Sequence, residues 1–205
     1  MLNNARCKKC RREGKKLFLK GDRCNGNSCA ILKRNYPPGI HGNKKYKKLT
    51  EYGMQLREKQ QAKSIYGINE KQFENYFNNA IKKKGDTGNQ ILGLLERRLD
   101  NVIYRIGLAK SRSSARQFVG HNFFMLNDKK ASIPSMQVKV NDIIKLKKIN
   151  KKNINELVKK IDLSKLPSWA SFDIQTSKIK ITGDPTVGEV SPQFDLKAIV
   201  EYYSR

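Results

Sequence analysis

No stretch of this chain approaches the roughly 18 consecutive apolar residues that a membrane span requires, and its N-terminus has no apolar core of the kind a secretory signal carries. The sequence therefore predicts neither insertion nor secretion, and the cytosol is the expected compartment. Acid is scarce, with 18 Asp and Glu against 43 Lys and Arg in 205 residues, a formal net charge of +25. The acids that are scattered through the first hundred residues argue against an acid-poor, Ser-rich transit segment. Tryptophan occurs once, histidine twice and cysteine four times. Hydrophobic residues make up only 38% of the chain, lean but sufficient for modest cores in one or two domains.

A positive surplus of this size on a small protein repels itself, so a polyanion is the expected partner, and nucleic acid is the obvious one. The alternatives are a solvated surface or an anionic lipid headgroup layer. Distribution favours the first. Residues 1 to 50 carry a net +13 and residues 101 to 150 a net +8, whereas 51 to 100 and 151 to 205 carry +2 each. Two separate basic blocks predict two footprints on a nucleic acid.

The cysteines fall at Cys7, Cys10, Cys24 and Cys29, two close pairs bracketing a short loop. Such spacing lets one pair form a knuckle and the other close a tetrahedron around one ion, and zinc suits four thiolates best. A four-thiolate site leaves no position open for substrate water, so the zinc would be structural and supply folding energy to a segment poor in apolar material. Lys8, Lys9, Arg11 and Arg12 would offset its negative charge. Disulfides and an iron-sulfur cluster are the alternatives, the first disfavoured by a reducing cytosol.

Tyr36-Pro37-Pro38-Gly39-Ile40-His41-Gly42 reads as an ordered loop, and behind it Lys44, Lys45, Lys47 and Lys48 surround Tyr46, a pattern suited to phosphate contacts with one stacking ring. A flexible lysine run is the competing reading. His41 reads as a structural or RNA-contacting residue, since four cysteines already supply a metal set. From Thr50 to Lys84 the apolar spacing is helical. Gly85-Asp-Thr-Gly88 breaks it, and Asn89 is expected to cap one long amphipathic helix through Ile106. That loop lacks the Gly-Lys-Ser/Thr ending of a nucleotide-binding loop. Ser111 is expected to cap a helix over Arg112 to Val119, closed by Gly120 and His121 in the manner of a C-terminal glycine. Arg112 and Arg116, at i and i+4, would present two forked cations on one face. Alternating segments at Phe124 to Leu126, Met136 to Val140 and Ile144 to Leu146, with turns at Asn127-Asp128 and Asn141-Asp142, predict a small antiparallel sheet under two helices. In the last stretch Trp169 reads as a core anchor before a base-stacking ring, Ile174, Ile179 and Ile181 alternate, and Leu196 to Tyr203 is helical.

Several stretches together resemble the bacterial small-subunit ribosomal protein S-four family in its four-cysteine form. They are Cys7-Lys-Lys-Cys-Arg-Arg-Glu-Gly14 with Cys24 and Cys29, Tyr36 to Gly42, Leu56-Arg-Glu-Lys-Gln60, Ile65-Tyr-Gly67, Lys71-Gln-Phe73, Leu94-Leu-Glu-Arg-Arg-Leu-Asp-Asn-Val102, Ser113-Ser-Ala-Arg-Gln117 and Glu201-Tyr-Tyr-Ser-Arg205, in the family's order. The resemblance implies an α+β chain in three parts. These are a zinc knuckle and basic arm over 1–49, a helical domain over 50–94 joined by 192–205, and an RNA-binding module with a β extension over 95–191, its core at 97–150. It further implies a non-enzymatic constituent of the small ribosomal subunit in the cytoplasm. Such a protein binds small-subunit ribosomal RNA at a junction of several helices and nucleates assembly. The resemblance also implies that Lys44, Lys45, Lys47 and Lys48 face incoming messenger RNA, that proteins S-five and S-three are neighbours, and that roles in accuracy and in repression of its own message accompany assembly. The sequence departs from the family at Gly120, where a basic residue is usual, and at Asp128, where the turn usually has glycine.

The expected RNA contacts are Arg11, Arg12, His41, Lys44, Lys45, Lys47, Lys48, Arg57, Arg98, Arg112, Arg116 and His121, and the expected metal ligands are Cys7, Cys10, Cys24 and Cys29. Binding would proceed by counterion release, with Arg forks and exposed rings reading phosphates, sugar hydroxyls and unstacked bases. An RNA-modifying enzyme is the main rival, because Arg98-Leu99-Asp100 resembles the catalytic string of pseudouridine synthases that carry the same module. Against it, Asp100 is expected in a surface pair with Arg97 on a helix, and the chain is too short for a second catalytic domain. A zinc-bearing regulator of DNA or messenger is the other rival.

Overall fold

A computed structural model describes residues 6–44, 48–147, 166–173 and 176–205. Lys45, Tyr46, Lys47 and Ile174 lie outside the described residues. The chain divides into two compact units, Met1–Gln90 with Pro192–Arg205, and Ile91–Ser191.

The first unit is helical: α1 (Arg6–Glu13), α2 (Asp22–Asn25), α3 (Ala30–Lys33), α4 (Glu51–Tyr66), α5 (Glu70–Ile81) and, after the second unit, α10 (Leu196–Tyr203). Local chemistry sets their ends. The Thr50 hydroxyl accepts from the Gly53 amide to start α4, and Gly67, at φ 64°, stops it in the left-handed region that a glycine enters without cost. Asn69 and Gln72 form a reciprocal capping box on α5. Helix α10 packs on α4, and the aromatics Phe73 and Phe77 of α5 stack against Tyr203 at 6.0 and 4.6 Å between ring centroids. Phe73 and Phe77 are buried, and each buried ring of this size contributes about 2 to 3 kcal/mol. The Gln55 amide donates to Glu201 at 2.9 Å, tying the last helix to α4 across 146 residues of sequence.

A charge cluster sits in the same packing. Lys59, buried, donates to Glu70 at 2.8 Å and lies 4.0 Å from the ring centre of Tyr202. Glu70 also accepts from Lys63 and from the Tyr203 hydroxyl at 2.9 Å. Burial pushes the Glu70 carboxyl up, but these hydrogen bonds outweigh it and hold the group at about 2.

The second unit places α6 (Thr87–Glu96, which contains the division between the units), α7 (Leu99–Arg105) and α8 (Arg112–Gly120) with an antiparallel sheet. The sheet has five strands, β1 (Phe124–Leu126), β2 (Lys129–Ala131), β3 (Ile143–Leu146), β4 (Ala170–Asp173) and β5 (Lys178–Ile181), in the order β2-β1-β3-β5-β4. A short α9 (Val187–Val190) follows. One face, with Phe124, Ala131, Ile144, Leu146, Ile179 and Ile181, joins Leu99, Val102, Ile103, Ala115, Val119 and Trp169 in a single core. Trp169 is thus a core anchor.

Four sequence expectations change. The single helix from Asn89 to Ile106 is two helices broken at Arg97-Arg98, because residues 134–138 run alongside and take its backbone groups. The Leu99 amide donates to Met136 O at 2.9 Å and the Val138 amide to Arg97 O at 2.8 Å. The cap at the start of α6 comes from Asp86, which accepts from the Asn89 amide at 2.9 Å. The partner of β1 across the Asn127-Asp128 turn is Lys129–Ala131, whereas Met136 to Val140 forms no ladder beyond an isolated bridge from Gln137 to Arg98. Both turn residues have positive φ, at 48° and 64°, as a two-residue primed turn requires, so Asp128 replaces the usual glycine without lengthening the turn. Finally, α8 is not ended by a left-handed Gly120; the left-handed residue is Asn122, at φ 60°.

Candidate nucleic-acid interface

The helix break at Arg97-Arg98 organises the charged surface of the second unit around two buried acids. Asp100 is 3% exposed and accepts four hydrogen bonds: Arg98 reaches it through Nε at 3.1 Å and Nη2 at 2.9 Å, and Arg116 through Nε at 3.1 Å and Nη2 at 2.9 Å. Glu96, fully buried, accepts two bonds from Arg105 at 2.9 and 2.8 Å and one from the Asn101 amide at 2.7 Å. Asn101 in turn accepts from Arg112 Nε at 2.8 Å, and the Arg112 guanidinium lies 4.5 Å over the Tyr104 ring. Two acids thus hold three arginines directly, and Asn101, itself bonded to Glu96, holds the fourth, Arg112. The cluster remains positive, and the helix-borne Arg112 and Arg116 are held in fixed orientations while still partly exposed, Arg116 at 28%. A guanidinium fork already held in place loses less freedom when it meets a phosphate.

This arrangement corrects two assignments. Asp100 does not form a surface pair with Arg97; it is buried with Arg98 and Arg116, and Arg97 pairs with Asp184 at 2.7 Å. Arg98, only 1% exposed, is removed from the phosphate-contacting set, because its guanidinium is withdrawn into the fold. The residues missed from sequence are Glu96, Asn101 and Arg105. Their signal was an acid and an amide inside an otherwise apolar segment, a placement that demands partners once buried. His121 is exposed, its ring 6.2 Å from that of Phe123.

In the first unit Arg11 acts on its own chain. It donates to Tyr36 O at 2.9 Å and to Pro37 O at 3.4 Å and lies 4.7 Å from the Tyr36 ring centre, so it pins the proline-rich loop. Gly42 closes that loop where a Cβ would sit 2.1 Å from Pro37 O, a position closed to any side chain. The loop thereby displays Ile40, 98% exposed, and His41, also exposed. Arg12, Lys44 and Lys48 are exposed, Arg57 is half-buried, and Lys45 and Lys47 lie outside the described residues.

All four cysteines are free thiols, and Cys10, Cys24 and Cys29 are buried. The Lys20 amide donates to Cys24 Sγ at 3.3 Å. Burial pushes the Cys10 thiol up, the Leu17 amide partly offsets this, and the charges of Cys24, Cys7 and Cys29 push it further. A four-thiol donor set suits zinc. Among the described residues, however, no three His, Cys, Asp or Glu side chains are grouped closely enough to hold a metal ion, so the zinc knuckle expected from sequence is not shown.

Helices braced on one face of an antiparallel sheet, with arginines fixed on their solvent side, define a class of nucleic-acid-binding module. Comparison with known families agrees: residues 1–96 match the family described as ribosomal protein S4/S9 N-terminal domain, and residues 97–144 match the S4 domain. Among curated relatives, the small ribosomal subunit proteins uS4 of Syntrophomonas wolfei and Desulforamulus reducens are 47% and 48% identical over 201 residues, covering 97% of this chain and 96% of theirs. The corresponding protein of Clostridioides difficile is 47% identical over 206 residues, 98% of this chain and 97% of its own. The chain belongs to the small ribosomal subunit protein uS4 family. It is a ribosomal protein with a structural, non-enzymatic role. Among the described residues, no helix is long and apolar enough to cross a membrane.

Proposed function

We propose that this protein is a primary binder of small-subunit ribosomal RNA at a junction where several RNA helices meet, nucleating assembly there. The observation that carries this reading is the bracing of Arg112 and Arg116 by buried Asn101 and Asp100 on a chain of net charge +25. Converging RNA backbones repel one another, and rigid cations at fixed spacing let them approach by releasing counterions. Lys44, Lys45, Lys47 and Lys48 belong to the other basic block, and we assign them to incoming messenger RNA. Neighbouring small-subunit proteins, S-five and S-three among them, complete the setting, and roles in accuracy and in repression of its own message accompany it. The test is the affinity of the full chain for small-subunit ribosomal RNA as a function of salt. Replacing Arg112 and Arg116 by Ala is expected to shallow the slope of log affinity against log salt by about 2, roughly 1 per phosphate contact. An unchanged slope rejects this face.

A second proposal concerns metal: Cys7, Cys10, Cys24 and Cys29 bind one structural zinc. Their paired spacing, their membership of one unit and the amide donated to Cys24 Sγ support it; the sulfurs would have to draw together from their positions as free thiols. Metal analysis of protein purified without chelator is expected to find one zinc per chain, and its absence overturns the assignment.

A further inference from the structure

The sheet has a second face, opposite the one that joins the core. Strand register places Lys130, Met125, Lys145, Lys178 and Asp173 in one row across it, and Ile143, Lys180 and Ser171 in the next. Every one of these side chains points away from the core, because their neighbours along each strand, Phe124, Ala131, Ile144, Leu146, Ile179 and Ile181, point into it. Four lysines therefore share one surface, three of them exposed and Lys145 partly so.

Their placement is costly to the fold alone. Lysine is a poor strand former, and lysines on sheets ordinarily guard edge strands against pairing with other chains. Here Lys145, Lys178 and Lys180 stand on β3 and β5, interior strands that need no such guard. Lys145 and Lys178 face each other directly across the ladder, an arrangement of like charges that weakens a sheet. Among the described residues, only Asp128, bonded to Lys145 at 2.5 Å, and Asp173, opposite Lys178, stand against them on this face. A surface of this kind is favourable when a polyanion lies on it. Among the described residues, no exposed aromatic or large aliphatic side chain interrupts these rows, since Met125 and Ile143 are half-buried, so the match is to a charged backbone and not to a protein hot spot or a lipid interior.

We infer that the outer face of the sheet, through Lys130, Lys145, Lys178 and Lys180, is a second contact for a ribosomal RNA backbone, separate from the arginine surface of α8. The inference rests on the RNA-binding reading above and extends it: the module grips RNA on two faces and joins two segments of the transcript. Contacts of lysine with phosphate carry position and not sequence, so this face sets how the RNA segments lie without selecting bases.

The experiment uses the full chain and small-subunit ribosomal RNA. Exposed lysines are labelled with an amine-reactive reagent in free and RNA-bound protein and read by mass spectrometry, alongside salt-dependent affinity of the variant Lys130→Gln, Lys178→Gln, Lys180→Gln. The expected results are protection of all three lysines by RNA alone and a slope shallower by about 2 to 3 in the variant, with Trp169 fluorescence confirming that the unit remains folded. Wild-type slope in the variant with unprotected lysines in a protein that does bind the RNA overturns this face while leaving the α8 surface standing. Protection that appears only when small-subunit proteins are added overturns it in favour of an acidic protein partner. A wild-type chain that does not bind the RNA overturns both readings, and an Arg112→Ala, Arg116→Ala variant with unchanged slope overturns the α8 surface alone.

Discussion

Replacing Asp100 by Asn tests the organisation of the RNA-facing helices most directly. The Arg98 guanidinium is 1% exposed and meets Asp100 through two hydrogen bonds of 3.1 and 2.9 Å. Removing the carboxylate charge leaves a buried cation uncompensated, a change that costs about 3 to 5 kcal/mol; Asn keeps one acceptor oxygen, so a loss near about 3 kcal/mol is expected. With a urea dependence of about 1.5 kcal/mol per M, the unfolding midpoint should fall by roughly 2 M. The assay is already built into the chain. Trp169 is its only tryptophan and lies in the core of the second unit, so its fluorescence follows that unit alone. A double variant, Arg98→Met with Asp100→Leu, removes both charges at once and should recover most of the loss, since a buried ion pair replaced by apolar groups is often neutral. In RNA binding, Asp100→Asn should lower affinity with no change in salt slope, because Arg116 keeps its charge and loses only its brace. A stability within about 0.5 kcal/mol of wild type, or a double variant no more stable than the single one, would refute the reasoning.

Two further outcomes follow from the same geometry. Glu70 titrates at about 2 in the folded chain against an ordinary value near 4.5, so its contribution to the first unit is complete above about 4.5 and is lost as pH falls toward 2. Its side chain is 47% exposed and therefore screened, which limits the effect to about 1 kcal/mol, and Glu70→Gln should remove that part of the acid sensitivity of the helical circular dichroism signal. Gly120 is the last residue of α8, has no left-handed φ, and a Cβ there would meet nothing within 4 Å. Gly120→Ala should then stabilise the second unit by about 0.5 kcal/mol through lower entropy of the unfolded chain, read by Trp169 fluorescence; a loss of stability would show that the glycine serves the backbone after all.

The partner class and the broad architecture were legible in the amino-acid sequence, because charge and periodicity are properties of composition and order. A surplus of 25 positive charges concentrated in two blocks, helical spacing through Thr50 to Lys84 and alternation near Phe124 and Ile144 need no knowledge of distant contacts. Whatever depended on residues far apart in sequence was decided only by the tertiary structure. Arg98 and Arg116 look alike as letters, yet one is buried and the other partly exposed, because residues 134–138 take the backbone groups of Arg97, Leu99 and Asp100 and turn the chain inward at Arg98. That the loop of Tyr36 folds back onto Arg11 could not be read from the sequence. The lysine face escaped a reading of each strand alone, since Lys145 and Lys178 become neighbours only through pairing across 33 residues of chain. Local pattern sets which surfaces are charged; long-range packing decides which charges stay there.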